Sequence, residues 1–248
     1  MCDFLHQKRS ALSYAASFAM DSIPENMLDD YIKYIQNMKT LLVREASGVE
    51  LCHLLGRDDV KCTLDPTLLL EGKDYDGLNK LPNGMQGVKD YILVYSLTSS
   101  MKIYEETCKL AKRNNCKMVM LKRVPHPPLP SSFKNSIDLV EVGPAEFLGL
   151  VKNAKCVVTS SYHALMFSLI FHTNFYVFMD NASSANSRLL SSLSMFGLEK
   201  QLYYETSSLP KTLPNIDYNA VDSILKVKRE ESIGLLRESI EDKLNDLK

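Results

Sequence analysis

Apolar residues along this chain fall into short unbroken runs, separated by stretches with helical spacing or by polar turns. The most informative stretch is 155–178, KCVVTSSYHALMFSLIFHTNFYVF. Its first apolar run, 156–159, reads as a fully buried strand, followed by a tight polar turn at Ser160, Ser161 and Tyr162. A short apolar helix then begins near His163, and a second buried strand follows at 175–178. Strands that are apolar throughout belong to parallel sheets, and parallel neighbours require a crossover between them. The turn therefore lies at a strand's carboxyl end and a helix's amino end, where open α/β sheets bind ligands and the helix dipole favours anions.

The same rhythm runs through the rest of the chain. Residues 10–17 read as a strand, and 25–37 carry apolar residues at helical spacing (Met27, Leu28, Tyr31, Ile32, Ile35). A strand is expected at 40–43, then a helix capped by Ser47 and stopped by Gly56, then a strand at 60–64. The Gly-, Asn- and Asp-rich stretch that follows reads as a link between domains. A second series starts at Tyr91, with strands at 91–97, 117–121 and 137–142, an amphipathic helix at 99–114 and a Pro-rich loop at 126–132. Gly143 and Pro144 open a helix through Val151. After the central stretch come a polar loop at 180–187, a helix over 188–196 stopped by Gly197, and a long charged helix from 218 with a break near Glu231. Alternating strands and helices predict parallel sheets covered on both faces. The domains expected are 1–72, a linker at 73–90, a second domain at 91–217, and a C-terminal helix, 218–248, packing back toward the first domain.

Composition narrows the function. With 29 Lys and Arg against 30 Asp and Glu, nothing in the overall charge points to nucleic acid or an anionic membrane. The 6 cysteines are scattered without C-x-x-C spacing, which argues against a disulfide scaffold or zinc site and favours a reducing, cytoplasmic compartment. No apolar run approaches the roughly 18 residues of a membrane span, and the first residues, MCDFLHQKRS, carry charge where a signal peptide's apolar region would lie. No G-x-G-x-x-G, Walker A or G-x-S-x-G motif occurs.

His163 is the titratable group placed at the strand-to-helix turn, with Ser160 and Ser161 beside it. Hydroxyls at such a point are ordinary helix caps, and a lone histidine near an apolar helix is more often structural than catalytic; the combination of a helix N-terminus, an imidazole and hydroxyl donors at one strand end favours function. Arg44 follows a strand and precedes Glu45, so a surface ion pair is one reading. Arg188 opens a helix, where a cation works against the macrodipole and an anionic partner would offset it. Guanidinium groups from both halves would make a phosphate clamp.

Several segments together resemble the polysaccharide pyruvyl transferases: SYAAS (13–17), LLVREASGVELCHLLG (41–56), LDPTLLL (64–70), GPAEFLGLVKNAKCVVTSSYHALMFSLIF (143–171) and NSRLLSSLSMFGLE (186–199). The resemblance implies an α/β, GT-B-like fold of two Rossmann-like domains with parallel sheets facing a cleft. It implies transfer of the enolpyruvyl group of phosphoenolpyruvate to a sugar of a surface polysaccharide or its precursor, closing a pyruvate ketal, without cofactor or metal. By motif, His163 matches the family histidine, Arg44 the arginine of V-R-E, and Arg188 the basic residue of the later helix, with Ser160 and Ser161 as substrate-binding groups.

The chain departs from the family in two places. Many members have Arg before the histidine or Gly after it, whereas this chain has Tyr162 and Ala164. The family's N-terminal part, at least two βαβ units of roughly 30 residues each, has no counterpart, so the first domain is expected to be incomplete with an exposed sheet edge. Two other functions fit these residues: a nucleotide-sugar glycosyltransferase, and a non-catalytic carbohydrate- or partner-binding remnant. The acceptor sugar, its linkage and the oligomeric state have no readable code.

Overall fold

The computed structural model describes residues 11–20, 22–98, 100–121, 133, 135–179 and 186–245. The Pro-rich loop expected at 126–132 and residues 180–185 of the expected polar loop lie outside them. The chain divides into two compact units, one from Met1–Leu69, Ser184–Phe196 and Asp222–Lys248, the other from Leu70–Ser183 and Gly197–Val221.

The first unit opens with β1 (Ala11–Ala16), α1 (Leu28–Gln36), β2 (Met38–Val43), α2 (Ala46–Leu54) and β3 (Lys61–Cys62). Its strands form one parallel sheet in the order β1-β2-β3. The sheet packs its apolar side chains with α1 and α2 around Tyr31, Ile35, Leu41, Val43, Cys52, Leu55 and Val60. Arg57, buried, ties the end of α1 to the start of β2 by donating to the carbonyls of Ile35, Met38 (2.6 Å) and Lys39 (2.9 Å). Gly56, at φ +77, supplies the left-handed stop of α2.

In the second unit, β4 (Tyr91–Tyr95), α3 (Lys102–Arg113), β5 (Lys117–Leu121), β6 (Ile137–Leu139), α4 (Pro144–Asn153), β7 (Cys156–Thr159), α5 (Tyr162–Ile170) and β8 (Phe175–Met179) follow in turn. The chain then returns to the first unit as α6 (Asn186–Met195), adds β9 (Leu202–Tyr204) to the second, and ends its described part with α7 (Tyr218–Asn245). The second sheet is parallel throughout, in the order β6-β5-β4-β7-β8-β9. Counted from β4, this is a doubly wound order, and its direction reverses between β4 and β7. Every residue of β7 and β8 is buried, as a central parallel strand requires. Each large apolar side chain so buried contributes about 1.5–3 kcal/mol.

Four readings need correction. The N-cap of α2 is Glu45, and Ser47 lies one residue inside the helix. No break occurs near Glu231, since α7 is continuous over 28 residues. The stretch 73–90 belongs to the second unit. Lys80 N donates to Ala145 O at 3.1 Å, and a Cβ on Gly149 would stand 2.1 Å from Lys80 O, so this glycine lets the stretch press against α4. Its Gly and Asn residues build turns on a packed surface: Tyr75 sits edge-on to Phe167, with ring centroids 5.3 Å apart, and Met85 is buried. Likewise α6, expected in the second domain, packs against α2 in the first unit.

Candidate active site

In the second unit the site forms where β4 and β7 end side by side. Thr159 Oγ1 donates to Tyr95 O at 2.6 Å and accepts from Ser161 N at 2.9 Å, so one hydroxyl ties both strand ends to the turn. Ser160 Oγ accepts from Leu97 N at 2.8 Å and lies 3.3 Å from Ser96 Oγ. Ser161, buried, is the N-cap of α5, and its Oγ accepts from Ala164 N at 3.4 Å. Both serines expected to bind substrate therefore serve the turn. They fix the direction in which α5 leaves the sheet.

His163 is the second residue of that helix. Its neighbours Tyr162, Ala164, Leu165 and Met166 are buried, whereas His163 is exposed. The Tyr162 ring stands nearly perpendicular to the imidazole at a centroid distance of 5.5 Å. An exposed imidazole is thus held at the positive end of a helix dipole, at the reversal point of a doubly wound sheet. This arrangement can transfer a proton to a bound anion.

In the first unit, Arg44 follows β2. Its Nη1 donates to Asp65 Oδ2 at 2.6 Å, and its Nε stands 3.7 Å from Glu45 Oε2. Burial pushes the Asp65 carboxyl upward, but the Thr67 amide and hydroxyl (3.0 and 2.8 Å) together with Arg44 outweigh it and hold the carboxyl below its ordinary value. Glu45, 1% exposed, accepts at Oε1 from Ser17 Oγ (2.8 Å), Phe18 N (2.9 Å) and Ala19 N (3.5 Å). The hydroxyl of Ser47 is buried without a hydrogen-bond partner among the described residues. Arg188 lies half-buried on α6.

Of the residues expected to act, Ser160, Ser161 and His163 are brought together in the second unit, while Arg44 and Arg188 belong to the first. Sequence reasoning offered Glu45 as a surface partner of Arg44, whereas Glu45 is buried, and missed Asp65 altogether. The signal for Asp65 lay in the D-P-T segment, but a pairing 21 residues apart leaves no local periodicity. No group of three or more His, Cys, Asp or Glu among the described residues could hold a metal ion, and no described helix is long and apolar enough to cross a membrane.

A family model for polysaccharide pyruvyl transferase matches residues 1–181 of the 248. The chain belongs to the polysaccharide pyruvyl transferase family. The match includes Arg44, Glu45, Asp65 and His163; Arg188 lies beyond it. None of the curated proteins matches the sequence. Among solved structures, the chain is similar to the glycotransferase of kitacinnamycin, at 14% identity and TM-score 0.43, over 86% of this chain and 56% of that one. It is also similar to the glycosyltransferase SnogD from Streptomyces nogalater (10% identity, TM-score 0.42, 75% of this chain and 57% of that one). A UDP-N-acetylglucosamine 2-epimerase from Rickettsia bellii matches at 12% identity and TM-score 0.40, over 87% of this chain and 64% of that one. The chain thus spans a little over half the length of the first two.

Proposed function

We propose that this chain transfers the enolpyruvyl group of phosphoenolpyruvate to a sugar of a polysaccharide or its precursor, forming a pyruvate ketal. The observation that carries the reading is the family match across the segment holding both Arg44 and the His163 turn. In this reaction His163, as imidazolium, gives a proton to the methylene carbon of the donor. The adjacent carbon takes on oxocarbenium character, and an acceptor hydroxyl oxygen bonds to it and gives up its proton. Phosphate then leaves with the electron pair of its C–O bond, and a second hydroxyl of the same sugar closes the ring. Of the two hydroxyl protons released, one restores His163 and the other departs with phosphate. Arg44, through oriented N–H donors, and Arg188 bind the donor, and α5 favours an anion near His163.

Thermal unfolding with and without phosphoenolpyruvate tests the donor. At about one hundred times its dissociation constant, the ligand should stabilise the native chain by about 2.7 kcal/mol. We expect Arg44→Ala to abolish that shift. His163→Ala should keep the shift and lose phosphate release in the presence of an acceptor sugar. A wild-type chain that melts cooperatively, is unmoved by phosphoenolpyruvate and shifts with a uridine nucleotide would point instead to a nucleotide-sugar transferase.

A further inference from the structure

Glu45 stands at the N-cap of α2, yet its side chain caps nothing there. A buried carboxylate loses its hydration and is retained at little cost only when both oxygens are engaged. Glu45 directs Oε1 to three donors of the 17–19 segment, whereas Oε2 makes no hydrogen bond among the described residues and is held by charge alone, 3.7 Å from Arg44 Nε. That segment ends on Ala19 at φ +54, a left-handed conformation costly for alanine, so an external hold is needed there. On the other side of the guanidinium, Asp65 takes Nη1 at 2.6 Å. Asp65 is fixed in turn, because both residues flanking the Asp65-Pro66-Thr67 turn are tied. Leu64 N donates to Ser232 Oγ at 3.0 Å, and Arg229 Nε donates to Leu68 O at 2.9 Å.

We infer that Glu45 is a positioning residue: it couples the 17–19 segment to Arg44 and, with Asp65, sets the direction of the Arg44 guanidinium. Its consequence for phosphoenolpyruvate rests on the function proposed above. Two carboxylates beside one guanidinium leave the trio net negative, so Arg44 contributes oriented donors rather than net charge. This yields a discriminating sign. Glu45→Gln keeps an oxygen for the 17–19 donors and removes one negative charge. If net charge governed anion binding, the variant would bind phosphoenolpyruvate more tightly. If orientation governs it, binding weakens severalfold.

The test follows the side-chain Nε–H signal of Arg44 by nitrogen-15 NMR in the full chain, assigned by its disappearance in Arg44→Lys. In the wild type this proton, buried beside the Glu45 carboxylate, should exchange slowly. In Glu45→Gln it should exchange at least severalfold faster while the backbone spectrum stays folded. Unchanged exchange in a folded Glu45→Gln chain overturns the inference, whatever the ligand does. Should Glu45→Gln fail to fold, Glu45→Asp, which keeps the charge but shortens the reach, is read the same way. Phosphoenolpyruvate is then titrated into both chains. Tighter binding by Glu45→Gln also overturns the inference. A wild-type Arg44 signal unmoved by excess phosphoenolpyruvate overturns the donor reading alone, since the exchange result stands without ligand.

Discussion

Asp65 illustrates what a single buried carboxylate does in this chain. It is 3% exposed and accepts from Thr67 N, Thr67 Oγ1 and Arg44 Nη1. These partners lower its folded-state pKa against the upward push of burial. A carboxyl lowered on folding contributes stability that is full above the unfolded aspartate value near 3.9 and is lost as pH falls through the lower folded value. Asp65→Asn should therefore cost about 1–3 kcal/mol at neutral pH, because a charged hydrogen-bond acceptor is lost. The gap between variant and wild type should narrow toward about pH 3. Urea unfolding at both pH values decides it, and a gap that does not change with pH would mean Asp65 acts by packing alone. In the sequence, the Asp-Pro-Thr run stood only within the LDPTLLL segment, after the strand expected at 60–64. Arg44 and its neighbour Glu45 were legible as a charged pair after a strand, but Asp65 was not, since it comes from a different strand end.

Buried parallel strands were the most legible elements. The runs at Cys156–Thr159 and Phe175–Met179 are apolar at every position except Thr159, and their shortness and their Val and aromatic residues favour a buried strand over a buried helix. By contrast β9, Leu202–Tyr204, is a short and partly exposed edge strand whose pattern gives no period to read. The 73–90 stretch was misread because Gly, Asn and Pro mark turns whether or not those turns pack on something. Its packing depends on one residue of another element. Gly149→Ala places a methyl 2.1 Å from Lys80 O, and a backbone carbonyl there cannot swing aside as a side chain could. Overpacking of this kind costs typically 1–3 kcal/mol. The variant should unfold at correspondingly lower urea, with faster amide exchange at Lys80, whose N–H bonds Ala145 O. Ala at this site would otherwise favour the helix over Gly by up to about 1 kcal/mol, so a stabilised variant would show that the two segments do not meet as described.

At the scale of the molecule, the first unit is assembled from three separated stretches of chain, while the second draws mostly on one. Residues from 222 onward supply contacts that the strand ends of the first unit need. Ser232 is 168 residues from Leu64, whose amide it accepts, and Lys39 Nζ donates to Asp242 O across 203 residues. Such contacts carry a loop-closure cost that must be met before they stabilise anything. The second unit's sheet is held by neighbours closer in sequence, and among the described residues its core around Ile92, Val94, Val158 and Phe178 is built from residues before Asp222. A chain cut just before Asp222 should therefore lose hydrogen-exchange protection at Leu64 N and at Thr63 N, which bonds Val43 O at 2.7 Å. Protection should persist at Val157 N, which bonds Asn174 O at 2.8 Å. Removing the partner of Leu64 alone, by Ser232→Ala, should reproduce the loss locally and cost about 1–3 kcal/mol for a buried unpaired amide. If the shortened chain keeps full protection at Leu64 and Thr63, the first unit closes without α7, and the tie from Ser232 to the Asp65 turn is an ornament of the fold rather than its support.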